Sequence, residues 1–198
     1  MIPACELITG PTVEPVNLDE VKRNAFVTGT ADDEFIENEL IPPARKYIER
    51  MTGRAFITQT WTQFYDYPGN IREVYYFRVN PVQSVSSVKY YDTDYVLQTM
   101  SSALYQVDTS RTRARLWVEA DQDWPTISVQ KLNALQITFV AGYGSTPASV
   151  PEIYKKAIVL LCTYWYHNRG GFDCNSAGEV YSRLQALCGV EGTMMEYA

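Results

Sequence analysis

The chain has 198 residues, of which 46% are apolar and 20% charged, and its formal charge is −6. That composition excludes a disordered chain, and the length suits one domain with a real core or a helical domain carrying an inserted sheet. The acidic balance excludes a monomer that grips nucleic acid by neutralising phosphates, although an acidic protein can still surround DNA.

Pro3, Pro11 and Pro15 predict an irregular segment over residues 1–16. Asn17 followed by Glu20 is a capping box, which starts a short helix at Leu18 that runs to about Phe26 and is broken by Thr28-Gly29-Thr30. A second helix opens near Asp32 and Asp33. Its apolar positions, Phe35, Ile36, Leu40, Ala44, Tyr47, Ile48 and Met51, follow a 3.6-residue period up to a C-cap at Gly53. Pro42-Pro43 falls inside that period, so the sequence predicts a kink or a brief break with re-initiation.

From Ile57 to about Gly142 the pattern turns to strands. Ile57, Trp61 and Tyr65 share one face with Gln59 and Gln63 between them, and Pro68-Gly69-Asn70 signals a turn. Further strands are expected over residues 74–79, 85–91, 95–99, 104–108, 113–119 and 135–141, the last with clean alternation at Leu135, Ile137 and Phe139. Ser149 as N-cap and Pro151 at the first helical position predict a third helix to about Asn168, stopped by Gly170-Gly171. A last helix is expected over residues 177–187. The fold class is therefore α+β: a helical frame of two N-terminal and two C-terminal helices with an inserted, mostly antiparallel β-sheet. The parts are 1–56, 57–142 and 143–198, expected to form one compact structural unit.

Aromatics reach 13%, with 15 Tyr and 4 Trp. Rings at that density suit half-buried, interface-like surface, or a sheet rich in aromatic strand formers. The four cysteines, Cys5, Cys162, Cys174 and Cys188, show no C-x-x-C spacing. Pro3 and Glu6 stand where a secretory segment would need an apolar run. Reduced thiols in a cytoplasm-like compartment are expected. The longest apolar run, Ala157 to Cys162, is too short to cross a bilayer, so no membrane partner is expected.

No residue pattern points to catalysis. The single histidine, His167, has no nucleophile motif around it and reads as a helix C-terminal side chain facing the dipole or packing on an aromatic ring. Cys162 and His167 are five apart, a poor spacing for shared metal ligation. Gly142-Tyr143-Gly144 precedes a helix without completing a phosphate-binding motif. Asp92 with Asp94, and Asp121 with Asp123, read as turn residues. No enzyme activity, metal or cofactor is expected.

Two basic features read as contact candidates or as solvated faces. Arg111, Arg113 and Arg115 alternate toward Trp117, one face if the segment is a strand, and suit an acidic neighbouring subunit. Lys46, Arg50 and Arg54 form a stripe on the second helix. Four acids, Asp32, Asp33, Glu34 and Glu37, cluster at the start of the second helix. The last helix and tail, with Tyr181, Arg183, Leu184, Leu187 and Tyr197, form a small apolar element with little chain left to cover it. They are expected to dock on a partner.

Several stretches together carry a family resemblance. Leu7-Ile8-Thr9-Gly10-Pro11 and Glu14-Pro15-Val16-Asn17-Leu18-Asp19-Glu20-Val21-Lys22 open it. Tyr47-Ile48-Glu49, Thr52-Gly53-Arg54 and Gln59-Thr60-Trp61 follow, then Pro81-Val82-Gln83-Ser84-Val85. Phe139-Val140-Ala141-Gly142-Tyr143-Gly144, Val150-Pro151-Glu152, Trp165-Tyr166 and Asn168-Arg169 close it. In this order they resemble the tailed-phage head–tail connector (adaptor, head-completion) family over roughly residues 7–170. Pro42-Pro43 and the last twenty residues depart from its pattern.

The resemblance implies helices bearing a β insertion and no catalytic residue. It implies a virion neck protein, made in the host bacterial cytoplasm, that forms a homo-oligomeric ring of typically twelve subunits beneath the portal protein. A stopper or tail-completion protein would sit below, with double-stranded DNA passing through the lumen without specific binding. In such a ring Asp32, Asp33, Glu34 and Glu37 are expected to face the lumen or a basic partner, where like charge repels phosphate, and the last helix and tail with Tyr181, Arg183, Leu184, Leu187 and Tyr197 are expected to dock on the portal. A stopper, a DNA-processing hydrolase and a protein-binding module without a ring are the competing functions.

Overall fold

The structure, a computed structural model, describes residues 3–66, 74–118, 125–127, 131–169 and 174–189. The expected turn at Pro68-Gly69-Asn70, the Asp121/Asp123 pair, Gly170-Gly171 and Tyr197 lie outside the described residues. The chain divides into two compact units. One comprises Met1–Pro11 with Thr58–Tyr143, the other Thr12–Ile57 with Gly144–Ala198.

The β unit holds a five-stranded sheet in the order β1-β2-β8-β4-β5, formed by β1 (Ala4–Thr9), β2 (Gln59–Tyr65), β8 (Leu135–Ala141), β4 (Val82–Tyr91) and β5 (Leu97–Thr99). A three-stranded sheet has the order β3-β7-β6, from β3 (Tyr75–Tyr76), β7 (Arg115–Val118) and β6 (Tyr105–Asp108). Every strand pair is antiparallel. β8 is central, and its expected alternation is met by burial of Leu135, Ile137, Phe139 and Ala141. Phe139 meets Phe77 edge-on at 4.8 Å, and Tyr65 meets Tyr75 at 4.9 Å.

The N-terminus corrects the expectation of irregular chain. Pro3 and Pro11 flank a proline-free run, and Ala4–Thr9 pairs with β2 as the edge strand of the large sheet, from Ala4 opposite Phe64 to Thr9 opposite Thr60. β3 is shorter than expected, because Arg78 and Val79 bend toward the cis Asn80–Pro81 peptide. There the buried Asn80 side chain donates to Phe77 O at 3.0 Å and accepts from Ala114 N at 2.8 Å. The glutamines of β2 also have a structural role. Gln63, 1% exposed, donates to Tyr76 O and accepts from Arg78 N, both at 3.0 Å, so a side chain ties the β3 segment to β2.

The helical unit begins with α1 (Leu18–Ala25), and the capping box is present: Glu20 N donates to Asn17 Oδ1 at 2.9 Å and Asn17 N to Glu20 Oε2 at 2.7 Å. The expected break at Pro42-Pro43 takes a specific form. A single turn, α2 (Asp33–Phe35), passes into a π segment, Ile36–Leu40, and the chain re-initiates as α3 (Ile41–Thr52) with the prolines in its first turn. Pro42 and Pro43 have no N–H to give to the carbonyls four residues back. The Ile41 amide instead reaches Ile36 O, and the prolines sit where a helix needs no donor. Gly53 caps α3 in the left-handed region at φ 63°, as its position predicts.

α4 spans Glu152–His167 and α5 spans Cys174–Leu187, the latter opening three residues earlier than expected. Pro151, not Ser149, is the N-cap of α4, with extended ψ of 135°. Val150, restricted to extended backbone by the following proline, separates it from a 3-10 turn, Pro147–Ser149. The core joins Ile36, Ile41, Ile48, Phe56, Ile158 and Leu161, and Phe56 stacks on Tyr154 at 5.0 Å. Ile57 and Gly144 form a parallel bridge, so the two points where the helical unit gives way to the β unit lie side by side, as an insertion requires.

Candidate interaction surfaces

Among the described residues, no three His, Cys, Asp or Glu side chains group as a metal site. His167 is exposed at the end of α4 and meets the Tyr166 ring edge-on at 5.4 Å. Burial pushes the Cys162 thiol up to about 12, and those of Cys5 and Cys188 to about 11, the reverse of what a nucleophile needs. Asp92 accepts from the amides of Asp94 and Val96 at 3.0 and 2.9 Å and from Gln98 Nε2 at 2.8 Å, which shapes its own turn.

The arginine row is not a strand face. β7 opens only at Arg115, and Arg111 and Arg113 lie in the bend before it. The reason is Asp108 at the end of β6. It accepts from the Ser110 hydroxyl at 2.6 Å and amide at 3.0 Å, and pairs with Arg115 at 3.0 Å and Arg111 at 3.5 Å. The Ser110 bonds first, and then Arg115, hold its carboxyl below the usual range. The Arg115 guanidinium lies 5.2 Å over the Trp117 ring, and Arg113 5.3 Å over Tyr76. What reaches solvent is an arginine-aromatic surface with Trp117 exposed and part of its charge matched internally.

The four acids separate into two pairs. Asp32 accepts from the Tyr166 hydroxyl at 2.7 Å and Arg169 Nη1 at 3.0 Å, and Asp33 pairs with Lys22. Arg169 also stacks over Phe35 and Tyr166 at 4.3 and 4.1 Å. Glu34 and Glu37 are exposed. The stripe of Lys46, Arg50 and Arg54 is divided similarly: Lys46 and Arg50 are exposed on α3, whereas Arg54 lies past the helix end, 5.9 Å over Tyr154.

α5 is not the uncovered apolar element that its sequence suggests. Leu184 is 2% exposed, and Tyr181 packs 5.1 Å from Tyr47, which in turn meets Trp165 at 6.5 Å. Leu187 is half-buried, and Arg183 is exposed and paired with Glu179. Leu184 therefore serves the core of its own unit.

Sequence reasoning missed Phe26. It caps α1 in the left-handed conformation, φ 55°, and is 89% exposed. It stands at a groove of about 380 Å³ whose lining includes Arg23, Lys155, Lys156 and Val159. The available signal was a bulky ring at the position just before Val27-Thr28-Gly29, where glycine or asparagine is usual.

No protein-family model matches the chain, and no curated protein matches it. Solved structures do. A chain in the neck of an empty gene transfer agent particle, computed with sixfold symmetry, superposes with a TM-score of 0.72 at 18% identity over 94% of both chains. A chain in the virion of the native particle gives 0.67 at 19%, over 85% of this chain and 87% of that one. A chain in the native neck computed with twelvefold symmetry gives 0.63 at 16%, over 94% and 93%. This chain has the fold of a gene transfer agent neck chain. At these identities the likeness is one of fold, and it takes in both the helical and the β unit.

Proposed function

We propose that the protein is a structural, non-enzymatic head–tail adaptor of a tailed phage or phage-like particle. It would form a ring beneath the portal, extend the DNA channel and offer the docking surface for a stopper or tail-completion protein. The observation that carries this reading is the end-to-end fold likeness to a chain of a particle neck, over 94% of both chains. The ordered motifs from Leu7 to Arg169 point to the same family independently of the fold. Two helical segments on each side of the sheet favour an adaptor over a stopper, which tends to be smaller and more purely β. Thiols held above their ordinary values by burial fit a role without chemistry.

The formal charge of −6 fits a channel that DNA slides through without being gripped. Portal docking falls to the outward face of α5 around Arg183, with Leu187, Tyr181 and the tail that carries Tyr197; Leu184 holds that helix in place. The Arg111, Arg113, Arg115 and Trp117 surface suits a neighbouring subunit or the protein below.

Electron cryomicroscopy of particles, with this chain fitted into neck density, tests the reading. A closed ring next to the portal is expected. Density at the lower end of the neck, away from the portal, would instead make the protein a stopper. Deleting residues 190–198 and replacing Arg183 with Glu, which spares buried Leu184, is expected to weaken capture by purified portal.

A further inference from the structure

The groove beside Phe26 has an unusual wall. A phenylalanine in left-handed backbone is strained, and placing its ring almost wholly in water adds the cost of exposed apolar surface. Of the charges around it, Lys155 is paired with Glu152, and Glu20 accepts from Asn17 N in the capping box, which orients its carboxylate and leaves its charge in place. Arg23 and Lys156 are exposed, and no carboxylate among the described residues pairs with either. The groove thus presents one ring and, with Arg23, Lys155 and Lys156 against Glu20 and Glu152, a net positive charge.

The same unit carries the complementary charge elsewhere. Glu34 and Glu37, three residues apart where α2 passes into the π segment, are exposed and unmatched among the described residues. Their position is fixed by Asp32, which is bonded to Tyr166 and Arg169 at the C-terminal end of α4. The groove lies at the other end of α4, along residues 152–159. From Lys156 to Tyr166 the helix rises about 15 Å. A basic socket and an acidic knob therefore sit at opposite ends of one helix. A chain that meets its own copies head to tail needs two different, mutually complementary patches of this kind.

We infer that Arg23, Lys156 and Phe26 of one copy receive Glu34 and Glu37 of a second copy. The ring of Phe26 is the apolar anchor, and the charge pairs set register and direction. This inference rests on the ring reading and assigns Glu34 and Glu37 to the neighbouring copy, not to the lumen.

The test uses the full chain at high concentration and low ionic strength, where exposed charge pairs act most strongly. Zero-length carbodiimide coupling is applied to a mixture of isotope-labelled and unlabelled chain, and products are read by mass spectrometry. The expected product joins Lys155 or Lys156 of one copy to Glu34 or Glu37 of another. By sedimentation, Arg23→Glu with Lys156→Glu weakens self-association about tenfold or more, and so does Glu34→Lys with Glu37→Lys. The chain carrying all four reversals regains it, which also shows that the reversed side chains leave the fold intact.

Self-association that survives both reversals overturns the inference and leaves the ring reading standing. A wild-type chain that yields no such product and stays monomeric overturns it too, while the neck density tests the ring separately. Duplex DNA retained by the wild type and lost with Arg23→Glu and Lys156→Glu would assign the groove to phosphate and overturn the copy-to-copy contact.

Discussion

Arg45, 4% exposed, donates through Nε to Glu14 at 2.8 Å and through Nη1 to Glu49 at 2.7 Å, and Glu49 in turn accepts from the Phe56 amide at 2.8 Å. One guanidinium thus fixes the segment before α1, the body of α3 and the chain leaving α3. The five donors of arginine and its fixed fork make this possible, and a lysine would serve only one partner well. Replacing Arg45 with Ala removes the guanidinium from Glu49, whose side chain is 11% exposed, and from Glu14 together. The expected loss is roughly 3–5 kcal/mol of unfolding free energy, measured by denaturant titration. Glu14→Gln should cost much less, because the Glu14 side chain is 28% exposed. Equal losses for the two would contradict this account.

Gly144 closes the bridge to Ile57 against the 3-10 turn. A Cβ at Gly144 would fall 2.4 Å from Ser149 Oγ and 2.7 Å from Ser149 Cβ. Gly144→Ala should therefore destabilise by roughly 1–3 kcal/mol, since one of the two segments has to move. Ser149→Ala should not rescue it, because the Cβ clash persists, whereas Ser149→Gly should recover part of the loss. Thermal melts of the three variants decide between these outcomes.

The Asp32 carboxyl lies below its ordinary value of 3.8, first because Arg169 donates to it and next because Tyr166 does. A carboxyl with a depressed folded value stabilises the fold above its unfolded value, and that contribution is lost as pH falls through the folded one. Unfolding measured from pH 6 down to pH 2 should show a larger stability loss for the wild type than for Asp32→Asn, with the difference confined to the region below about pH 4. A parallel loss in both proteins would remove Asp32 from the acid response.

Burial first, then the Glu14 carboxylate, raises the Cys162 thiol to about 12. In native protein at pH 8 it should stay unmodified by iodoacetamide and react fully once denatured, read as mass increments on its peptide. Modification of native Cys162 at the rate of a free thiol would contradict the packing of α4.

Some of this protein was written locally. Asn17 and Glu20 fixed the start of α1, Gly53 ended α3, and the alternation of Leu135, Ile137 and Phe139 made β8 a strand with one buried face. Those signals act within a turn or along one strand, and here the tertiary packing agrees with them. The order of helices, sheet and helices followed from them, and so did the break at Pro42-Pro43, because missing N–H groups are visible in sequence.

Tertiary structure decided what depends on partners far along the chain. Residues 4–9 became a strand only because β2, more than fifty residues on, supplied an edge. Asp108 drew Arg111 and Arg115 together and left Arg111 and Arg113 outside the strand. Leu184 looked available until α5 packed, and Phe26, in sequence only the approximate end of a helix, has its ring in water because α1 ends there in left-handed backbone. Local preferences set which element forms, and burial against non-local neighbours sets which of its faces is left for another molecule.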